Sequence, residues 1–384
     1  MSAPGAGAAP RVLFAGGGTG GHLYPALALA EALRERDPRT EVFFVGAQRG
    51  IEARVLPERG VPHLLLPFEP IRRSRPWENW RLVPALARSF AGLGRVYGDF
   101  RPNLVVGTGG YASGPAVLAG IVRGVPAAVQ EQNSFPGLTT RLVARRVGQI
   151  HLAFPEARRY LKPGARTEVF DFGNPIRPPD PTLDRAESRA HFALGGGTVA
   201  LVVGGSQGAR AVNEALLGDL RAVAEGLLPP RPEGFEILWA TGPAHHEEIA
   251  ARLAEIGTEW VHAVPYIHDM PRALASADLA VSRAGAMALA ELCAWGVPSV
   301  LVPLPTAAAN HQYHNAVALR DAGAAVMVEE AELQTGRLWG ELASLAGDEV
   351  RRADISRHAR ERGRPDAAAR IAEQLARLAG GGRT

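Results

Sequence analysis

One pattern recurs four times in this chain: a short apolar run, a glycine-rich turn, then a segment of small residues suited to a helix. Arg11 to Ala15 leads into Gly16-Gly17-Gly18-Thr19-Gly20-Gly21, followed by a helix expected from about Pro25 to Glu35. Leu104 to Val106 leads into Gly107-Thr108-Gly109-Gly110, and Val199 to Val203 into Gly204-Gly205-Ser206-Gln207-Gly208-Ala209. Leu279 to Val281 leads into Ser282-Arg283-Ala284-Gly285-Ala286, followed by a helix over Met287 to Ala294. Further strands are expected at Val42 to Val45, His63 to Leu66, Ala127 to Gln130, Val169 to Phe172, Ile237 to Ala240, Trp260 to Val264, Val300 to Val302 and Ala325 to Val328. Short apolar strands alternating with helices form a parallel sheet covered on both faces. The fold class expected is therefore α/β, as two Rossmann-like doubly wound domains, each opening with a glycine loop after its first strand.

The 384 residues exceed one comfortable core, which agrees with two domains. Gly173-Asn174-Pro175-Ile176-Arg177-Pro178-Pro179 is a poor helix and a poor strand, so it reads as the linker. The expected division is 1–175 and 176–362. A final segment, about 363–384, has Ile371, Leu375 and Leu378 at helical spacing and could pack on either domain. In open parallel sheets, ligands bind beyond the carboxyl ends of the strands, where all four glycine turns lie. Two domains facing each other there would make a cleft with glycine loops on both walls, a geometry suited to two substrates.

Composition narrows the function. Hydrophobic residues make up 46% and charged residues 21%, which excludes a disordered chain. Lys and Arg number 42 against 39 Asp and Glu, too balanced to point to nucleic acid. Lys162 is the single lysine; genome bias and selection of arginine for phosphate both explain that. Cys293 is the single cysteine, so an internal disulfide is excluded, and its apolar surroundings from Leu289 to Trp295 mark a small core residue. The first ten residues have neither a basic nor an apolar region of the signal-peptide kind, and no apolar run is long enough to span a bilayer. The expected location is cytoplasmic or on a membrane surface.

Glycine loops at helix starts bind anions because the first amide N–H groups lack intrahelical partners and the helix dipole adds positive charge. A single such loop is as often a structural turn, but matched positions in both halves favour a phosphate ligand. None of the loops carries the Gly-Lys-Ser/Thr ending of a P-loop, and Asp37 and Glu41 fit poorly as a ribose acid, so a kinase and a dehydrogenase are both disfavoured. No Asp-x-Asp pair and no ligand-spaced His, Cys and carboxylate cluster is present. His245-His246-Glu247-Glu248 comes nearest to one and reads as an exposed polar turn. No metal and no cofactor is therefore expected; backbone amides and an arginine such as Arg177 would meet a diphosphate. His22 is either a capping or surface histidine, or a general base kept neutral beside a helix N-terminus. Glu291, on the helix after Gly285, is either a solvated carboxylate or an acceptor for sugar hydroxyls. Asn310, His311 and Gln312 suit sugar recognition, though loops are often polar.

Six segments taken together carry a resemblance: Gly17 to His22, Gly109-Gly110-Tyr111-Ala112-Ser113-Gly114-Pro115, Glu131-Gln132-Asn133, Gly173 to Arg177, Gly204 to Ala209 and Ser282 to Ala286. In this order they resemble the MurG family, bacterial transferases that make lipid II, and the likeness runs from the first strand to Asn315. The resemblance implies a GT-B fold, with the final helix crossing back to the first domain. It implies inverting, metal-independent transfer of N-acetylglucosamine from UDP-N-acetylglucosamine to the muramyl sugar of undecaprenyl-linked lipid I at the cytoplasmic face of the cell membrane. The alternative is another GT-B UDP-sugar transferase or an epimerase. By the same resemblance, the second domain binds the donor: Ser206 on the diphosphate, Arg177 on the nucleotide side, Ile267 on the uracil through its backbone. Ala286, Met287, Ala288, Leu289, Ala290 and Glu291 line the phosphates and ribose, with Glu291 on the ribose hydroxyls. Gln312 and Asn133 hold the transferred sugar. Thr19, Gly20 and Gly21 lie near the donor sugar and the acceptor diphosphate, and His22 is the base. The chain departs from the common family pattern at Met287-Ala288-Leu289, which leaves backbone contacts there but no hydroxyl.

A lipid-linked acceptor calls for a membrane surface. Phe68, Ile71, Arg72, Arg73, Arg75, Trp77, Trp80, Arg81, Leu82, Val83 and Arg88 mix arginine with aromatic and aliphatic residues, as an anionic headgroup interface would require. An ordinary helix with Trp77 and Trp80 in the core accounts for the same residues.

Overall fold

The computed structural model describes residues 9–68, 83–205 and 207–381. The chain forms two compact units, Met1–Arg177 with Asp366–Thr384, and Pro178–Pro365.

The first unit runs β1 (Arg11–Gly16), α1 (Gly20–Arg36), β2 (Glu41–Ala47), α2 (Glu52–Glu58), β3 (His63–Leu66), α3 (Val83–Asp99), β4 (Leu104–Gly109), α4 (Ser113–Val122), β5 (Ala127–Glu131), α5 (Leu138–Val143), β6 (Gln149–Leu152) and β7 (Glu168–Asp171). Its seven strands are ordered β3-β2-β1-β4-β5-β6-β7. The pairings of β1 with β2 and β4 are parallel, with Phe14 opposite Phe44 on one side and Val106 on the other. Both faces of the sheet are apolar because helices cover both. Leu13, Val45, Val105 and Val129 fill one side, while Val12, Phe14, Phe44 and Val106 fill the other.

The second unit runs α6 (Arg185–His191), β8 (Val199–Val203), α7 (Arg210–Ala224), β9 (Glu236–Ala240), α8 (His246–Ile256), β10 (Val261–Val264), α9 (Met270–Ser276), β11 (Leu279–Ser282), α10 (Ala286–Trp295), β12 (Ser299–Leu301), α11 (His311–Asp321), β13 (Val326–Met327), α12 (Arg337–Gly347) and α13 (Glu349–Arg362). Its six strands are ordered β10-β9-β8-β11-β12-β13. The order reverses at β8 and β11, the doubly wound arrangement whose switch point gathers loops beyond the strand ends. The α/β class and the pair of Rossmann-like sheets expected from the sequence are both present.

The chain then returns to the first unit as α14 (Ala367–Ala379). Ile371, Ala372 and Leu375 are buried in the same cluster as Leu29 and Leu33 of α1. Burying an Ile or Leu side chain stabilises by about 1.5–3 kcal/mol, so this seam anchors the helix firmly. Polar contacts fix its register: Gln149 donates from Nε2 to the Gln374 carbonyl at 3.2 Å, and the Arg370 guanidinium lies 4.2 Å from the Phe172 ring centre.

Several expectations need correction. Helix α1 begins at Gly20, not near Pro25, so Gly20, Gly21 and His22 form its first turn. Pro25 is accommodated inside the helix. Strand β6 was not expected; its Gln149 and His151 break the apolar run, yet all four of its residues are buried. His246, Glu247 and Glu248 begin α8 with His245 as its cap residue; the two glutamates are exposed as expected, but on a helix start. Ile71, Arg72, Arg73, Arg75, Trp77, Trp80, Arg81 and Leu82 lie outside the described residues. Phe68 is buried and Arg88 is exposed on α3. Among the described residues no helix is long and apolar enough to cross a membrane. Cys293 is buried, and desolvation pushes its thiol up to about 12.

Candidate active site

In the first unit, the glycine turn after β1 is packed between α2 and the turn after β4. Gly110, at φ +77°, lies so close to the Gly17 carbonyl that a Cβ there would collide with it. A Cβ on Gly109, at φ +98°, would come within 2.7 Å of the His22 ring. The Tyr111 ring covers Gly18. The two glycine motifs are therefore one assembly: the second supplies the space that the first one and His22 occupy.

His22 is half-buried in the first turn of α1. Its Nδ1 is 3.1 Å from the Gly17 carbonyl oxygen and 3.2 Å from Thr19 Oγ1. A carbonyl only accepts, so Nδ1 carries the proton in this contact and Nε2 is the basic nitrogen of the neutral ring. Thr108 Oγ1 donates to the His22 backbone carbonyl at 2.8 Å, which ties the turn to β4. Thr19 is the cap residue of α1, is exposed, and makes no side-chain cap bond; the first turn holds no acidic residue. Gly20 and Gly21 thus open a helix start whose dipole no side chain of that turn offsets.

Sequence reasoning missed Glu52, at the start of α2. It is fully buried, and both carboxylate oxygens accept the Gly18 N–H at 3.0 Å while Oε1 accepts the Ala47 N–H at 2.8 Å. A Cβ on Gly17 or Gly50 would strike this carboxyl group, and one on Gly46 its Cγ. Those three glycines were the available signal, but they converge only in the folded chain.

Glu131, at the end of β5, is likewise buried. It accepts Thr140 Oγ1 at 2.6 Å, the Gly137 N–H at 3.0 Å and the Asn133 N–H at 3.1 Å. Burial pushes its carboxyl above the usual range, against the pull of these donors. The arrangement presents Asn133 at the carboxyl end of β5. Asn174 donates from Nδ2 to the Gln132 carbonyl at 3.2 Å and accepts from Gln130 Nε2 at 3.0 Å, which holds the linker against this strand end. Arg177, two residues beyond Pro175, is exposed.

In the second unit, Ser206 lies outside the described residues. Around it, Gly205 and Gly208 have φ of +95° and +77°, and Gly208 lies against the Thr241 carbonyl. The turn delivers the chain into α7, whose cap residue Ala209 makes no side-chain cap bond. Helix α10 starts at Ala286 after Gly285, again without a side-chain cap bond or an acidic first turn. Both helix starts suit an anion. Leu289 is 1% exposed, so only its backbone could meet a ligand, whereas Met287, Ala288 and Ala290 are half-buried. Glu291 is half-buried, and desolvation raises its carboxyl above the usual range. Ile267 is buried after β10, beside the exposed Tyr266.

Gln312 Oε1 accepts the Leu304 N–H at 3.0 Å, which fixes the side chain at the carboxyl end of β12. Ala309 and Asn310 precede it with φ of +52° and +53°, a strained pair that sets the start of α11. Arg283 is committed elsewhere: it donates to the Val302 and Pro303 carbonyls and pairs with Glu330. A cavity of about 1000 Å³ lies between α7 and the turn Glu330–Thr335; Asn310 and Tyr313 reach its wall, but Glu291, Ile267 and Gln312 do not line it. Among the described residues, no three His, Cys, Asp or Glu side chains gather as a metal site requires.

Comparisons with known proteins match both units. The glycosyltransferase family 28 N-terminal domain matches residues 12–152 and the family 28 C-terminal domain matches residues 199–371. A relative from Chlorobaculum parvum is 41% identical over 96% of this chain and 99% of its own length. It is named UDP-N-acetylglucosamine--N-acetylmuramyl-(pentapeptide) pyrophosphoryl-undecaprenol N-acetylglucosamine transferase. The chain belongs to this transferase family. A relative of the same name from Moorella thermoacetica is 41% identical over 93% of this chain and 96% of its own length. The crystal structure of Acinetobacter baumannii MurG matches with a TM-score of 0.74 at 27% identity, covering 96% of this chain and 99% of that one. A UDP-N-acetylglucosamine 2-epimerase matches with a TM-score of 0.59 at 14% identity, a likeness of fold alone. Membership of the transferase family sets the epimerase alternative aside, and the GT-B class follows from the same matches.

Proposed function

We propose that this protein transfers N-acetylglucosamine from UDP-N-acetylglucosamine to the muramyl sugar of undecaprenyl-linked lipid I, giving lipid II and UDP, with inversion and without a metal. The observation that carries this reading is near-full-length membership of the transferase family together with a histidine whose Nδ1 is bound to the Gly17 carbonyl.

The acceptor hydroxyl oxygen attacks C1 of the donor sugar from the face opposite the diphosphate. The new O–C1 bond forms as the C1–phosphate oxygen bond breaks, and that electron pair leaves with UDP. His22 Nε2 takes the hydroxyl proton, consistent with its neutral Nδ1–H tautomer. Amides at the starts of α7 and α10 stabilise the charge developing on the diphosphate, with Ser206 and Arg177 assisting. Ile267 receives the uracil through its backbone, and Ala286 to Leu289 and Ala290 line the phosphates and ribose. Glu291 accepts the ribose hydroxyls, while Gln312 and Asn133 hold the transferred sugar. Thr19, Gly20 and Gly21 face the acceptor diphosphate. The test is UDP release from UDP-N-acetylglucosamine with and without a lipid I analogue; release that ignores the acceptor contradicts the reading.

The site of action is the cytoplasmic face of the cell membrane, reached through an anionic lipid surface. The arginine and tryptophan content of the stretch from Phe68 to Arg88 supports this. Replacing Arg72, Arg73 and Arg75 by Glu should weaken binding to phosphatidylglycerol vesicles, and unchanged binding contradicts it.

A further inference from the structure

We infer that Glu52 acts on His22 through the Gly17–Gly18 peptide, as a carboxylate–peptide–imidazole relay that fixes the ring's tautomer and raises its basicity. One amide group carries both contacts. Its N–H, on Gly18, donates to both Glu52 oxygens at 3.0 Å, and its C=O, on Gly17, accepts from His22 Nδ1 at 3.1 Å. The relay rests on the reading of His22 as the base.

Glu52 is built into this place. It is fully buried, and among the described residues no cation pairs with it. Its charge is met by backbone N–H groups of Gly18 and Ala47, inside a cage that Gly17, Gly46 and Gly50 leave open. A buried carboxylate without a cation is costly unless amide dipoles hold it. Here the dipole it polarises is the one that faces the imidazole. Hydrogen bonds in series strengthen one another, so a carboxylate on the N–H makes the carbonyl a better acceptor for Nδ1–H. As Nε2 takes a proton, the negative charge beyond the peptide offsets the positive charge on the ring. A catalytic triad places its carboxylate directly on Nδ1 for the same purpose. In this chain the peptide of the glycine loop is interposed, and Glu52 is a positioning residue.

The residues packed against this loop are mostly uncharged. Tyr111 lies on Gly18 and Tyr24 beside Gly20, while Thr108 and Gln132 approach from β4 and the end of β5. Glu131, at the end of β5, is bound by Thr140, Asn133 and Gly137.

The test is an NMR titration of the histidine nitrogens and the Gly18 amide, with His22 identified by the signal lost in His22→Gln. In the natural protein, neutral His22 should be the Nδ1–H tautomer, and the Gly18 amide shift should move with the His22 midpoint. Glu52→Gln keeps the side-chain shape and removes the charge. It should lower the His22 midpoint by about one pH unit and move the acidic limb of the kcat/KM profile down with it, leaving the donor KM nearly unchanged. An unmoved midpoint in folded Glu52→Gln overturns the relay. So does a Gly18 amide that stays silent through the His22 titration of the natural protein, a readout that needs no variant to fold. Near-normal turnover in His22→Ala would remove the base assignment alone, and the NMR arms would still decide the relay.

Discussion

The Glu131 carboxylate accepts the backbone N–H of Asn133 at 3.1 Å, so a buried acid sets the direction of the asparagine proposed to hold the transferred sugar. Thr140 and Gly137 complete its shell. Glu131→Ala leaves these donors without a buried acceptor and should cost on the order of 3 kcal/mol of stability. Thr140→Val removes one hydroxyl and should cost about 1 kcal/mol. Denaturant unfolding reads both, and the donor KM should rise in each variant that stays folded.

Gly110→Ala should be worse than its size suggests. The added Cβ meets the Gly17 carbonyl at a backbone φ of +77° that L side chains rarely adopt. A loss of about 2 kcal/mol or more is expected. Because the same carbonyl holds His22, turnover should fall further than stability. Gly124→Ala, at φ +73° but with nothing within 4 Å of its Cβ, is the control; it should lose stability alone.

The four apolar runs and their glycine turns made the two sheets legible in the sequence, since strand–turn–helix units are written in local composition. Strand β6 escaped because its Gln149 and His151 are polar residues in a buried strand; desolvation lowers His151 to about 3. The start of α1 escaped because Gly20 and Gly21 are weak helix formers, and a first turn held by neighbouring loops does not depend on intrinsic propensity. His22 and Glu291 could be singled out beside glycine loops, and Asn133 through the family resemblance. Glu52 could not, because it sits among the polar residues at the start of α2 and its partners Gly18 and Ala47 lie on two other segments.

Asp219 gives the fold a pH dependence. Burial raises its carboxyl to about 6, although it accepts the Trp339 N–H at 3.1 Å. The folded state therefore binds the proton more tightly than the unfolded chain. The stability contribution from this group is fully present below about pH 4 and is lost as pH rises through about 6. Asp219→Asn keeps an acceptor for Trp339 and has no charge to desolvate. It should be more stable than the natural protein at pH 7, by on the order of 1 kcal/mol after allowing for solvent in the adjoining cavity. The difference should shrink toward pH 4 in a series of denaturant melts.

His22→Ala should lower kcat by roughly 10² to 10⁴ with little change in the donor KM, the mark of a lost general base. Steady-state UDP release at saturating acceptor reads it. A parallel rise in KM with kcat preserved would make His22 a binding residue.

The decisive measurement is UDP release from UDP-N-acetylglucosamine in EDTA, with mass analysis of a lipid I analogue in the same tube. The expected result is UDP formed only with the acceptor present, matched one for one by acceptor carrying an added N-acetylglucosamine. UDP formed without acceptor, an unmodified acceptor, or activity that vanishes in EDTA and returns with a divalent ion would contradict it.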